Sequence, residues 1–220
     1  MKNLIFTSIM LFAFINSNSQ TLIKNDVYEV MYSETFQQPI KISYEYPEIP
    51  QVNFNTVLMV SRMGGAPIGY PDTKVKEWEW QIPTNIITSD NDDYNLPYHR
   101  GHIVPARSFE YSEHQKFIYS YLNCAIMHKD LNQGVWYALE NRERKLKEKY
   151  NVKVQVELFF ADTSNTVDGG ATIPSSFRKI IEYRKKGLLD LSKKYKITRE
   201  VYEFPNNDSV KNTDLASYKI

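Results

Sequence analysis

The chain has 220 residues, with 27 basic against 26 acidic side chains, 42% hydrophobic and 24% charged content. That length fits one ordinary domain or two small ones, and the composition excludes a disordered or collagen-like chain. A single cysteine, Cys124, excludes an intramolecular disulfide framework and a cysteine-based zinc site, while 16 Tyr, 11 Phe and 3 Trp predict a ring-rich core.

Residues 1–19 read as a secretory leader. Lys2 gives a positive start, Leu4 to Ile15 form a short apolar stretch, and Ser17-Asn18-Ser19 suggests cleavage before Gln20. The apolar run is short for a bilayer span. The expectation is a secreted or periplasmic protein, residues 20–220 forming one domain with no membrane contact after cleavage. Removing the leader leaves 26 basic and 26 acidic groups, so a nucleic-acid partner needs a local basic surface rather than a global field.

Val27 to Tyr32 and Ile40 to Tyr46 alternate apolar and polar residues, as half-buried strands do. Thr56 to Val60 reads as a deeper strand, followed by turns at Gly64 to Pro67 and Gly69 to Asp72. Trp78 and Trp80 share one face if extended, as core residues or as a stacking surface for bases. Thr88 to Pro97 is a polar loop. A helix is predicted over Asn132 to Tyr150, with Asp130 as its cap, from the spacing of Trp136, Leu139, Leu146 and Tyr150. Val152 to Phe160 reads as a core strand, Asp168-Gly169-Gly170 as a turn, and Ile180 to Leu191 as a second helix interrupted near Gly187. From Glu203 onward the chain is polar and expected to be loosely held. Strands, a central helix, then strand and helix again make an α+β pattern.

Phosphate loops followed by Lys, His-Glu-x-x-His, Gly-x-Ser-x-Gly and Cys-x-x-Cys are all missing. The chemistry-bearing stretch is His99-Arg100-Gly101-His102-Ile103-Val104-Pro105-Ala106, which packs two imidazoles and a guanidinium around one glycine. A second cluster, Leu131 to Glu140, places Asn132 downstream, with Asn123 ahead of it.

This pair of clusters resembles the DNA/RNA non-specific endonucleases, ββα-metal nucleases whose hallmark is Asp-Arg-Gly-His followed by Asn and then by Glu on a helix. The likeness runs from about Tyr28 to Lys185, leaving 186–220 as an extension. Ile173-Pro174-Ser175-Ser176-Phe177-Arg178-Lys179 looks like the family's later Val-Pro-x-x-Phe-x-Lys element. The resemblance implies a mainly antiparallel sheet with packed helices, and a hairpin-helix element carrying the active site. It further implies cleavage of DNA and RNA through their phosphate backbones with little sequence preference.

Phosphodiester hydrolysis needs a base for water, a cation for the developing charge and contacts that position the backbone. His102 fits the base, since neutral imidazole titrates near working pH. Asn132 offers an amide oxygen to a hard ion, Mg²⁺ by expectation with Mn²⁺ as a substitute. Arg100 suits a non-bridging phosphate oxygen. On an unbroken helix Glu140 lies about 12 Å along the axis from Asn132, too far to share an ion directly, so the expectation is a role through the ion's waters or a neighbouring side chain. The resemblance carries Asn123 over as a residue holding His102 or the metal waters, and Arg144 as a further phosphate contact.

The departures are His99, where the family has an acidic residue, and Met127-His128, where it often has Gln. Asp92, Asp93 and Asp130 are candidate substitute carboxylates. His99 and His128 are either packed or solvent-facing side chains, or ligands for a softer ion. Basic residues crowd 142–149 and 178–186, interleaved with acidic ones on the helix. Two alternatives stand beside the endonuclease: a degenerate module of the same fold that binds nucleic acid or protein without cutting, and a phosphodiesterase for small nucleotides.

Overall fold

The computed structural model describes residues 20–46, 83, 85–90, 93–109, 112–185, 197–210 and 214–220. Its frame is a six-stranded antiparallel sheet made of β1 (Gln20–Lys24), β2 (Tyr28–Ser33), β3 (Gln38–Glu45), β6 (Tyr150–Phe159), β7 (Ser176–Lys185) and β8 (Thr198–Pro205), paired in that order. A separate two-stranded hairpin joins β4 (Tyr98–His102) to β5 (Cys124–His128). Between these lie the short helix α1 (Ser112–Ile118) and, after β5, the turn α2 (Lys129–Leu131), a π-helical turn (Asn132–Trp136) and α3 (Tyr137–Lys147). These are the antiparallel sheet and packed helices of an α+β fold, and the hairpin running into helix is the element the resemblance implies.

Alternation decides which face of the sheet is core. Val30 and Tyr32, Ile42 and Tyr44, Val152, Val154 and Val156, Phe177 and Ile181, Tyr202 and Phe204 are all buried in one cluster with Trp136, Leu139 and Leu146 of the helical segment. Trp136 is the hinge of this packing. Its ring stands edge-on to Phe177 and Phe204 at 5.6 and 6.1 Å, and its Nε1 donates to the main-chain oxygen of His102 at 3.1 Å. One side chain thereby locks α3 to both the sheet and the end of β4.

Several expectations are corrected. Residues 180–185 belong to β7, not to a helix, and β7 is paired on both sides. The misreading has a cause: Lys179 occupies a core-facing position between Phe177 and Ile181 and breaks the apolar alternation that marks a strand. The segment from Glu203 is not loosely held, since Phe204, Asn206 and Val210 are buried and Tyr218 packs on the core. The helix predicted over 132–150 is interrupted at Gly134, whose φ −97° and ψ −111° are non-helical, so the extrapolated Asn132–Glu140 separation does not apply. Asp130 does not cap it; the His128 side chain does, accepting from Asp130 N at 3.3 Å. The strand read at 56–60, the turns at 64–72, Trp78 and Trp80, and the leader all lie outside the described residues.

Candidate active site

The first cluster lies on β4 and the second on the π-helical turn and α3, brought together by the hairpin. β5 is buried along its whole length yet among the described residues has a strand partner only in β4. Its backbone is completed by two amide side chains. Gln38 Oε1 accepts from Ile126 N at 3.1 Å; Asn206 Oδ1 accepts from His128 N at 2.7 Å, while Asn206 Nδ2 donates to Ile126 O at 2.9 Å and to Pro174 O at 2.8 Å. These bonds satisfy groups that would be costly to bury unpaired.

Gly101 is where β4 needs a glycine. A Cβ there would meet Met127 Cβ at 2.7 Å and Cε at 2.9 Å, so the fully buried Met127 lies directly against the bare backbone. On either side of this contact, Arg100 is exposed and His102 half-buried. The His102 ring stands edge-on to Tyr119 at 5.0 Å. Burial first, and the neighbouring Arg100 guanidinium second, push its pKa from 6.5 down to about 4. The imidazole is therefore neutral at neutral pH, as a proton acceptor must be.

Asn123 bonds to the backbone two residues beyond His102. It is fully buried, its Oδ1 accepts from Val104 N at 2.7 Å, and its Nδ2 donates to Val104 O at 3.1 Å and Ile118 O at 3.0 Å. The amide is spent on the backbone that leaves β4 just after His102. His128 is likewise occupied: buried, edge-on to Tyr98 at 5.9 Å, and used as the cap, with Asp130 Oδ2 3.7 Å from its Nδ1. Asp93 is buried and accepts from Asp90 N at 2.8 Å, with Gly169 so close that a Cβ there would fall 2.2 Å from its Oδ1. Asp92 lies outside the described residues.

Asn132 is half-buried, and the imidazole placed against it is that of His99, with Nδ1 3.4 Å from Asn132 Nδ2. Farther along, Glu140 sits on α3 with Arg144 Nη1 3.9 Å from its Oε2. Burial pushes the Glu140 carboxyl up to about 7; Lys179, Arg144 and Arg107 pull it back, and Glu143 adds to the rise. Arg144 also lies over the Tyr137 ring at 5.8 Å, and Arg107 donates to the Tyr137 hydroxyl at 3.0 Å. Arg107 is a cation that sequence reasoning missed, because nothing in its neighbourhood marks a loop arginine as facing α3.

The second basic patch is corrected. Lys179 is fully buried: its Nζ lies 3.9 Å from the Trp136 ring centroid and 2.9 Å from Glu143 Oε1. Glu143 Oε2 accepts from Tyr44 and Tyr46 hydroxyls at 2.8 and 2.7 Å. Arg178 is paired with Glu157 and Glu203, and Arg142 of the helix with Glu200. The exposed cations that remain near the two clusters are fewer than the sequence suggests.

Among the described residues no three His, Cys, Asp or Glu side chains group to cage an ion. The donor set fits a cation that keeps most of its waters, with Asn132 the amide oxygen donor available from the second cluster. Among the described residues no helix is long and apolar enough to cross a membrane.

No curated protein matches this chain. A solved structure, the crystal structure of the EndoG/EndoGI complex, which concerns the mechanism of EndoG inhibition, is similar with a TM-score of 0.68 and 17% identity, covering 90% of this chain and 79% of that one. At that identity the likeness shows the fold. The family model for DNA/RNA non-specific endonucleases matches residues 8–220, past the point where the sequence likeness stops at Lys185. The chain belongs to the DNA/RNA non-specific endonuclease family.

Proposed function

We propose that the chain is an exported endonuclease that hydrolyses phosphodiester bonds of DNA and RNA with little sequence preference, with His102 as general base. The observation that carries this is the placement of His102: beside an exposed guanidinium, at the end of a strand bound through Trp136 Nε1 to the helical segment that follows Asn132, with burial lowering the ring's pKa. Family membership supports nucleic acid as substrate. Export rests on Lys2 and the apolar stretch Leu4 to Ile15.

In this reading the imidazole of His102 takes the proton of the attacking water, which a neutral ring accepts and a protonated one does not. Asn123 holds the strand end so that the ring keeps its place, and Tyr119 fixes its plane. Arg100, Arg107 and Arg144 bind non-bridging phosphate oxygens, Arg144 steadied by Tyr137 and Glu140. Asn132 Oδ1 holds a hydrated divalent cation, which when bound stabilises the negative charge developing on the phosphate and its departing oxygen. Glu140, once ionised, orients groups beside that amide.

The test is incubation of the mature chain, from Gln20, with supercoiled plasmid and with RNA, each with a divalent cation and with chelator. Cleavage of both polymers that stops with chelator is expected. Binding of either polymer without cleavage under Mg²⁺, Mn²⁺ or Ca²⁺ would instead mark a degenerate module, the reading that the replacement of the family's acidic residue by His99 favours.

A further inference from the structure

His99 stands where the family has an acidic residue; of the candidate substitutes among the described residues, Asp93 accepts from Asp90 N and Asp130 lies beside His128. What His99 does instead is face Asn132, with 3.4 Å between its Nδ1 and Asn132 Nδ2. An amide nitrogen can only donate, so this arrangement needs a bare Nδ1, with the ring proton on Nε2. A half-turn of the amide about its Cβ–Cγ bond exchanges nitrogen for oxygen and aims two lone pairs, one from β4 and one from the π-helical turn, into the same space. Two donors each about 2.1 Å from one ion, at an angle between 90° and 110°, stand roughly 3.0–3.4 Å apart. The 3.4 Å hydrogen-bond spacing, with the amide turned, falls within the range for two ligands of one ion.

We propose that His99 Nδ1 and Asn132 Oδ1 are joint ligands of one divalent ion, and that the imidazole makes the centre prefer a first-row transition ion of the Mn²⁺-to-Zn²⁺ range over Mg²⁺. The reason is ligand type: Mg²⁺ takes oxygen donors, whereas neutral imidazole suits the borderline ions. The other histidines near the clusters do not compete for this place, since His128 is the helix cap and His102 packs against Tyr119. The inference rests on the reading of Asn132 as the ion's holder.

The experiment uses untagged chain in four forms, wild type, His99→Ala, His99→Asp and Asn132→Ala, each checked for fold by circular dichroism. Calorimetric titration with Mn²⁺ and with Mg²⁺ gives affinities, and pulsed electron spin resonance of the Mn²⁺ form reads coordinated imidazole nitrogen. The wild type should show that nitrogen signal and bind Mn²⁺ more tightly than Mg²⁺. His99→Ala should lose the signal and weaken Mn²⁺ by about tenfold or more, a typical size for a metal-site contact, with Mg²⁺ affinity held within about twofold. His99→Asp should fold as wild type and reverse the preference. An unchanged signal and Mn²⁺ affinity in His99→Ala, with both ions lost in Asn132→Ala, overturns the role of His99 and leaves the site reading standing. Unchanged binding of both ions in Asn132→Ala overturns the site reading itself.

Discussion

Glu140 and His102 titrate in opposite senses, and each leaves a signature on stability. Burial raises the Glu140 carboxyl from 4.5 to about 7, so between those values the folded chain holds a proton the unfolded chain has lost. Stability contributed there falls as pH rises through the window. His102 is lowered from 6.5 to about 4, so the unfolded chain binds the extra proton and stability rises with pH across that range. The two slopes offset one another where they overlap. In metal-free protein, Glu140→Gln should therefore gain stability over wild type on going from pH 5 to pH 8, by at most about 3 kcal/mol at 1.36 kcal/mol per pH unit. Urea midpoints at the two pH values measure it; parallel curves would show that the carboxyl does not titrate near 7. The buried Lys179–Glu143 pair gives a second residue-scale prediction. Lys179→Met leaves the Glu143 carboxylate with two tyrosine hydroxyls but no cation, which should cost about 3–5 kcal/mol. Lys179→Met with Glu143→Gln should recover much of the loss, since no buried charge is then left alone. A double variant as unstable as the single one would contradict this account.

The β4–β5 hairpin shows how far an element can be read from its own residues. Its glycine, histidines and arginine are visible in the sequence, and the apolar run around Ile126 is plain. What finishes the buried edge of β5 is not local: Gln38 comes from β3 and Asn206 from the chain after β8, 88 and 80 residues away from Ile126. No periodicity predicts such bonds, because an isolated amide looks the same on a surface loop. Asn206→Ala should strip partners from His128 N, Ile126 O and Pro174 O and destabilise the fold by about 2–4 kcal/mol, from the usual cost of unsatisfied buried groups. Chemical denaturation checks this, and a loss below about 0.5 kcal/mol would mean that water or backbone shifts replace the amide. The helix after β5 was legible in its apolar face, Trp136, Leu139 and Leu146, but not in its break at Gly134. That break decides where Asn132 stands, so the site's geometry was less legible than its membership.

Across the whole molecule, the α+β class and β2, β3 and β6 follow from alternation alone. β7 does not, because a lysine sits in its core-facing row, and β8 was hidden by the polar residues Arg199, Glu200 and Glu203 interleaved with its apolar ones. Glu200 explains the deception: it is buried, yet takes Arg142 and the hydroxyls of Tyr183 and Tyr202, so a charged residue holds a strand position inside the fold. The same logic thins the basic surface, since Lys179 is buried and Arg142 and Arg178 are engaged in ion pairs with Glu200, Glu157 and Glu203. Near the ends of β4 and α3 stand Arg100, Arg107 and Arg144, of which Arg100 and Arg107 are exposed and Arg144 is half-buried beside Glu140. With 27 basic against 26 acidic groups in the chain, attraction of a polyanion depends on local cations and not on overall charge. The central claim is that His102 removes the proton. Its most direct test is the single-turnover cleavage rate of plasmid DNA by wild type and by His102→Ala, at saturating divalent ion and with folding matched by circular dichroism. A fall of about 10²–10⁴-fold is predicted for loss of a general base. A His102→Ala protein that cuts within about threefold of wild type would contradict the account, because no general base worth that factor would have been removed.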